Sequence, residues 1–85
     1  MKYEIEFRPS ALKALAKITK RDRLRIQGAI ELLSENPFPP NSKKLKLRPE
    51  HSLKVGDYRI LYQVIKNRMI VEVIALGYRK EIYKK

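Results

Sequence analysis

The chain has 85 residues, with 20 lysines and arginines against nine acidic residues for a formal net charge of +11, one histidine and no cysteine. This inventory excludes disulfide staples and thiolate chemistry, leaves too few ligands for a zinc site, and calls for no cofactor. A chain so short holds one small core, and so strong a cationic excess usually answers a polyanion, so residues 1–85 read as a single nucleic-acid-binding domain.

Lys2 to Arg8 alternates strictly, with Tyr3, Ile5 and Phe7 on one side, as a half-buried strand does. It lacks the apolar block of a signal peptide, and no apolar run approaches the roughly 20 residues of a membrane helix, so the cytoplasm is the expected location. Pro9-Ser10 punctuates, with Ser10 expected to cap a helix whose stripe is Leu12, Leu15 and Ala16. Thr19 and Asp22 resemble a capping box for a second helix burying Ile26, Ala29, Ile30 and Leu33, stopped by Asn36-Pro37. Lys13, Lys17, Lys20, Arg21, Arg23 and Arg25 then form the solvated faces of a helical hairpin.

Residues 37–50 hold four of the five prolines together with Lys43, Lys44 and Lys46, an irregular basic connection with a short extended piece expected at Leu45-Lys46-Leu47. Strand patterns follow. Leu53-Lys54-Val55 leads through Gly56-Asp57, a two-residue hairpin loop, into Tyr58–Ile65. Lys66-Asn67 turns the chain into Met69–Leu76, which Gly77 ends. Both long strands are apolar at nearly every position, which suggests cover on much of both faces. The expected fold is α+β: an N-terminal strand, a helical hairpin, then a three-stranded meander, giving a four-stranded antiparallel sheet.

The tight loop sets Lys54 directly opposite Arg59, a like-charge pair that destabilises a sheet unless an anion lies between. The antiparallel return brings Gly77-Tyr78-Arg79-Lys80 to the same end, so that Arg79 and Tyr83 join Lys54 and Arg59. Such a set suits RNA cleavage without a metal, because RNA carries its own nucleophile, the 2′-OH. The protein need only take that proton, neutralise the phosphate and assist the leaving 5′-oxygen. Arginine matches phosphate oxygens with its planar fork, and lysine serves as a base where neighbouring cations lower its pKa. Tyr58 and Tyr62 read as core tyrosines rather than base platforms, and the lone His51, placed in a loop before a strand, reads as incidental.

Lys54-Val55-Gly56-Asp57-Tyr58-Arg59-Ile60-Leu61-Tyr62 and Gly77-Tyr78-Arg79-Lys80-Glu81-Ile82-Tyr83 resemble the signature of the RelE/ParE toxin superfamily, and the order of elements agrees along the whole chain. The Gly-x-Arg ending four residues before a tyrosine is similar to the RNA-cleaving, RelE-like branch. That resemblance implies the toxin of a type II toxin-antitoxin system, a ribosome-dependent endoribonuclease acting on mRNA, held in check by a cognate acidic antitoxin. It implies Arg59 as the strand arginine stabilising the phosphorane-like charge, Arg79 as phosphate binder or acid, Tyr83 as the residue orienting the nucleotide or the nucleophile, and Lys54 as one of the basic residues on the strand before the Gly-Asp turn, the first choice for the general base. Lys43, Lys44, Lys46, Arg48 and Lys80 are the expected RNA-binding residues. The sequence departs from the pattern at Ser52, where relatives carry a second cation; Lys46 or Arg48 is expected to supply that charge from the loop. Two alternatives stay open: a gyrase-inhibiting toxin of the ParE branch, and a non-catalytic RNA- or ribosome-binding module.

Overall fold

The computed structural model describes residues 2–78. In chain order the elements are β1 (Glu4–Phe7), α1 (Pro9–Ala16), α2 (Lys20–Leu33), β2 (Ser42–Lys44), β3 (His51–Val55), β4 (Tyr58–Ile65), a 3-10 turn (Lys66–Arg68) and β5 (Ile70–Tyr78). The sheet has five strands in the order β1-β5-β4-β3-β2, rather than the four expected. It is mixed rather than antiparallel, because β1 runs parallel to β5, with Ile5 beside Val71 and Phe7 beside Val73. The alternation of β1 dictates which side chains turn inward, but it is the same for parallel and antiparallel neighbours. Direction therefore came from the tertiary path: the helices carry the chain across, and the meander closes back against its first strand.

The additional strand, β2, lies at Ser42–Lys44 and pairs antiparallel with β3, three residues before the extended piece expected at Leu45-Lys46-Leu47. Side chains rather than apolar pattern hold it there. Ser42 donates from Oγ to the Pro39 carbonyl at 2.7 Å, and Asn41 donates from Nδ2 to the Lys54 carbonyl at 3.0 Å. Leu47 takes a left-handed φ of 61° and is fully exposed, which no paired strand residue would do.

The helices depart from expectation in their details. Arg8, not Ser10, occupies the N-cap of α1, because Pro9 is preorganised for the first helical turn. Ser10 lies inside the helix, its hydroxyl 3.5 Å from the Ile74 carbonyl. This rotates the buried stripe onto Ala11 and Leu15, and Leu12 is left 50% exposed. In α2 the expected cap forms by half: Thr19 Oγ1 accepts from the Asp22 backbone N–H at 3.5 Å, while the Asp22 carboxylate accepts from the Tyr58 hydroxyl at 3.2 Å. Ile26, Ile30 and Leu33 are buried as the spacing requires, with Ala29 packed against them.

Both helices pack on one face of the sheet, against Leu53, Ile60, Tyr62, Val71, Val73 and Leu76, with Ile5 and Phe7 alongside. The opposite face carries Lys54, Arg59 and Leu61. Among the described residues no helix covers it, contrary to the two-sided cover suggested by the apolar strands, although Leu61 is itself buried. Among the described residues no helix is long and apolar enough to cross a membrane.

The register of β4 with β5 changes once. Tyr62 pairs with Val73 but Leu61 pairs with Ala75, so Ile74 is an extra residue on β5. A bulge of this kind lets both Val73 and Leu76 face the core. It also decides what meets at the sheet's end: Gly77 opposite Arg59 and Tyr78 opposite Tyr58. An uninterrupted register would have placed Leu76 opposite Arg59. The strand continues through Gly77 to Tyr78 rather than ending at the glycine.

Candidate functional site

The β3–β4 hairpin forms as its sequence predicts. Gly56 takes φ +58° in the loop, Val55 pairs with Tyr58, and Lys54 pairs with Arg59. The Arg59 guanidinium donates from Nη1 to its neighbour's carbonyl, Tyr58 O, at 3.3 Å. Among the described residues neither Lys54 nor Arg59 has an acidic partner: the ion pairs join Arg8 to Glu72 and Arg48 to Glu50. Gly77, which has no side chain, pairs with Arg59 across the ladder. Two cations facing each other across a ladder, with no described acidic partner and no described helix over them, repel each other. Substituting Lys54 by threonine, a good strand residue, is therefore expected to raise the melting midpoint by about 3 °C at low salt. A midpoint that falls in thermal melts would show that the pair is not repulsive.

The strand β2 brings a cation beside Ser52. Lys43 pairs with Ser52, and since Ser52 and Lys54 share a face, Lys43 lies on the face of Lys54 and Arg59. Sequence reasoning placed Lys43 in a loop, because three residues with no apolar alternation give no strand signal. Lys44 falls on the other face, paired with His51, and donates from Nζ to the Arg48 carbonyl at 3.4 Å. Lys46 is exposed in the loop. Arg48 is ion-paired with Glu50 at 3.0 Å, so part of the charge expected from it is already neutralised.

A further cation was missed. Arg25, read as part of a solvated helix face, folds its guanidinium over the hairpin tip, with Nη2 3.5 Å from where a Cβ on Gly56 would stand. Only the packing of α2 against the hairpin brings these residues together. Arg79, Lys80 and Tyr83 lie outside the described residues.

His51 is the first residue of β3 rather than a loop residue. Its ring lies between Phe38, at a centroid distance of 5.1 Å, and Tyr62, at 5.5 Å. Its Nδ1 is buried without a hydrogen-bond partner among the described residues. Burial, and then the charges of Lys44 and Lys66, hold its pKa below the usual 6.5. The unfolded chain therefore takes up a proton before the folded protein does. The His51 contribution to stability is complete above pH 6.5 and is lost as pH falls through that value towards the folded pKa. Thermal melts from pH 8 to pH 5 should show wild type losing midpoint relative to His51→Gln below pH 6.5. Parallel profiles would mean that the ring does not titrate differently on folding.

At the end of the sheet Tyr58 and Tyr78 stack, with ring centroids 4.8 Å apart and planes inclined by 19°. Hydrogen bonding with Tyr78, then burial and the Asp22 carboxylate, hold the Tyr58 hydroxyl protonated well above the usual tyrosine range. An open groove of about 630 Å³ runs beside them along β5, between Lys17 of α1 on one side and Arg48 on the other.

The model of the family described as "ParE toxin of type II toxin-antitoxin system, parDE" matches residues 5–83. A RelE-like toxin protein of Escherichia coli is 29% identical over 82 residues, spanning 94% of this chain and 86% of that protein. The isolated E. coli RelE toxin superimposes with a TM-score of 0.79 at 28% identity, covering 95% of this chain and 90% of that one. RelE in the intact E. coli RelBE toxin-antitoxin complex gives 0.79 at 27% identity, covering 89% and 95%. With its hairpin, its helix pair and nearly its whole length accounted for in this way, the chain belongs to the RelE/ParE superfamily of type II toxin-antitoxin toxins.

Proposed function

We propose that this toxin is a RelE-like, ribosome-dependent endoribonuclease that cuts translated mRNA by attack of a 2′-OH on the adjacent phosphodiester. The observation that carries the reading is the Lys54–Arg59 pair, unneutralised by any described acidic residue, with Lys43 on the same face and Gly77 opposite Arg59. In the proposed reaction the 2′-oxygen bonds to phosphorus while its proton passes to Lys54. The bond from phosphorus to the 5′-oxygen breaks, leaving a 2′,3′-cyclic phosphate and a 5′-hydroxyl. Arg59 binds the non-bridging oxygens as their charge grows. By resemblance, Arg79 binds phosphate or protonates the leaving oxygen, and Tyr83 orients the nucleotide. Lys43, Lys46 and Lys80 hold the flanking backbone, Lys44 from the other face and the Glu50-paired Arg48 add only general attraction, and Arg25 extends this cationic surface around the hairpin tip.

The formal charge of +11 suits both the ribosome's RNA and a cognate acidic antitoxin that would cover the same surface. RelE is bound to its antitoxin in the E. coli complex that this chain resembles, and we infer a corresponding partner here.

Mapping of 5′ ends after brief induction tests the reading. Codon-positioned cuts are expected, absent in Arg79→Ala and absent when translation is blocked. Growth arrest without cuts would instead favour the ParE branch, to which the matching family model is ascribed, and DNA gyrase would then be the target to assay. Salt-sensitive RNA binding without new ends would leave a non-catalytic module.

A further inference from the structure

We propose that the stacked Tyr58–Tyr78 pair is a platform for an unpaired base of single-stranded RNA, adjacent to the phosphate site. The inference deepens the RNA-cleavage reading and rests on it. Tyr78 is 55% exposed, an unusual state for a large aromatic residue in a strand that is otherwise largely buried. Its ring is nevertheless held in place. Tyr58 lies under it at 4.8 Å, and Tyr58 in turn donates its hydroxyl to Asp22 at 3.2 Å, at the start of α2. A base that stacks on such a ring loses little to ordering the protein, because the ring is already fixed.

The surroundings favour RNA over an apolar partner. β1 pairs with β5 only as far as Val73, so among the described residues the outer edge of Ile74–Tyr78 has no paired strand beside it. The groove of about 630 Å³ follows that edge and is lined from both faces of the sheet. Tyr58, Tyr78 and Lys17 line it on the helix side, Leu61 and Ala75 on the side of Lys54 and Arg59, and Arg48 completes the lining from its loop. Arg59 and Tyr78 sit at the same end of the sheet on opposite faces, since Gly77 pairs with one and Tyr78 follows it. A strand whose phosphate rests on Arg59 can therefore round the edge of β5 and lay a neighbouring base on Tyr78. Lys17 in the groove provides charge for its backbone, whereas Arg8 beside it is already paired with Glu72.

The test is fluorescence anisotropy of the full chain with a 5′-labelled seven-nucleotide oligoadenylate, beside the same strand carrying a central abasic residue. Wild type should bind the complete strand more tightly. Tyr78→Leu, which keeps an apolar side chain but removes the ring, should weaken binding to it by roughly tenfold. Tyr78→Phe should bind as wild type. Because the chain has no tryptophan, Tyr78→Trp supplies a direct signal: its emission should be quenched by the complete strand more than by the abasic one. Equal affinity of wild type for the two strands, or undiminished binding by Tyr78→Leu, overturns the proposal. In the second case, weakened capture of the antitoxin by Tyr78→Leu would assign the ring to that partner. Arg59→Ala separates this inference from the one beneath it. If Arg59→Ala loses cleavage while Tyr78→Leu binds as wild type, only the platform fails. If Arg59→Ala cleaves normally, the cleavage-site reading fails, and the platform with it.

Discussion

Replacing Arg59 by alanine is expected to lower mRNA cleavage by roughly 100- to 1000-fold, the loss that follows removal of one preorganised donor to a developing oxyanion. The side chain is half-buried on β4, with its guanidinium held by the Tyr58 carbonyl at 3.3 Å and faced by the side-chain-free Gly77. It is thus set in position before substrate arrives and, among the described residues, has no carboxylate to leave. Arg59→Lys should recover only part of the activity, because an ammonium keeps the charge but lacks the fork that matches two phosphate oxygens. Neither change removes a core contact, and alanine relieves the repulsion with Lys54, so melting midpoints should hold or rise. Primer extension on a translated message, read beside thermal melts, separates the outcomes. Full cleavage by Arg59→Ala would displace the chemistry from this pair, and loss of cleavage together with fold would make Arg59 structural.

The largest stability effect is expected at Tyr62. Its side chain is fully buried at the centre of β4, stacks on His51 at 5.5 Å, and donates its hydroxyl to the Pro37 carbonyl at 2.7 Å. Tyr62→Ala removes a large core ring, a change that costs about 3–5 kcal/mol. Against the roughly 5–15 kcal/mol that holds a small domain together, that lowers the melting midpoint by about 20 °C. Tyr62→Phe fills the same space but leaves the Pro37 carbonyl without its donor, for about 1–2 kcal/mol. The smaller change is the more informative. The Pro37 anchor begins the segment leading to β2, so Tyr62→Phe should also loosen Lys43 and weaken RNA binding. Hydrogen exchange at Ser42–Lys44 would report it. A Tyr62→Ala protein as stable as wild type would mean that the core does not depend on this ring.

The hairpin shows why local chemistry is legible. Gly56-Asp57 admits only a tight loop, that loop dictates the pairing of Val55 with Tyr58, and the pairing makes Lys54 and Arg59 neighbours. Each step follows from residues a few positions apart. The same holds for Ile26, Ile30 and Leu33, whose spacing alone marks the buried side of α2. The stripe of α1 was misread because Leu12 is apolar enough to suggest burial, although Pro9 starts the helix one residue before Ser10 and turns Ala11 inward instead. Lys43 and Arg25 were not legible as parts of the site. One sits on a strand too short to carry a pattern, and the other reaches the hairpin from a helix about 30 residues away in the sequence.

By itself the sequence determined the α+β character, the helical hairpin, the β3–β4–β5 meander and the like-charged pair at its tip, since each follows from periodicity or from a turn that only certain residues permit. Only the tertiary structure decided the direction of β1, the existence of β2 and the bulge at Ile74. Alternation specifies a face and not a neighbour, and a bulge arises where two strands must both keep their apolar residues inward. That one extra residue places Gly77 against Arg59 and Tyr78 on Tyr58, and with them the exposed ring at the sheet's edge.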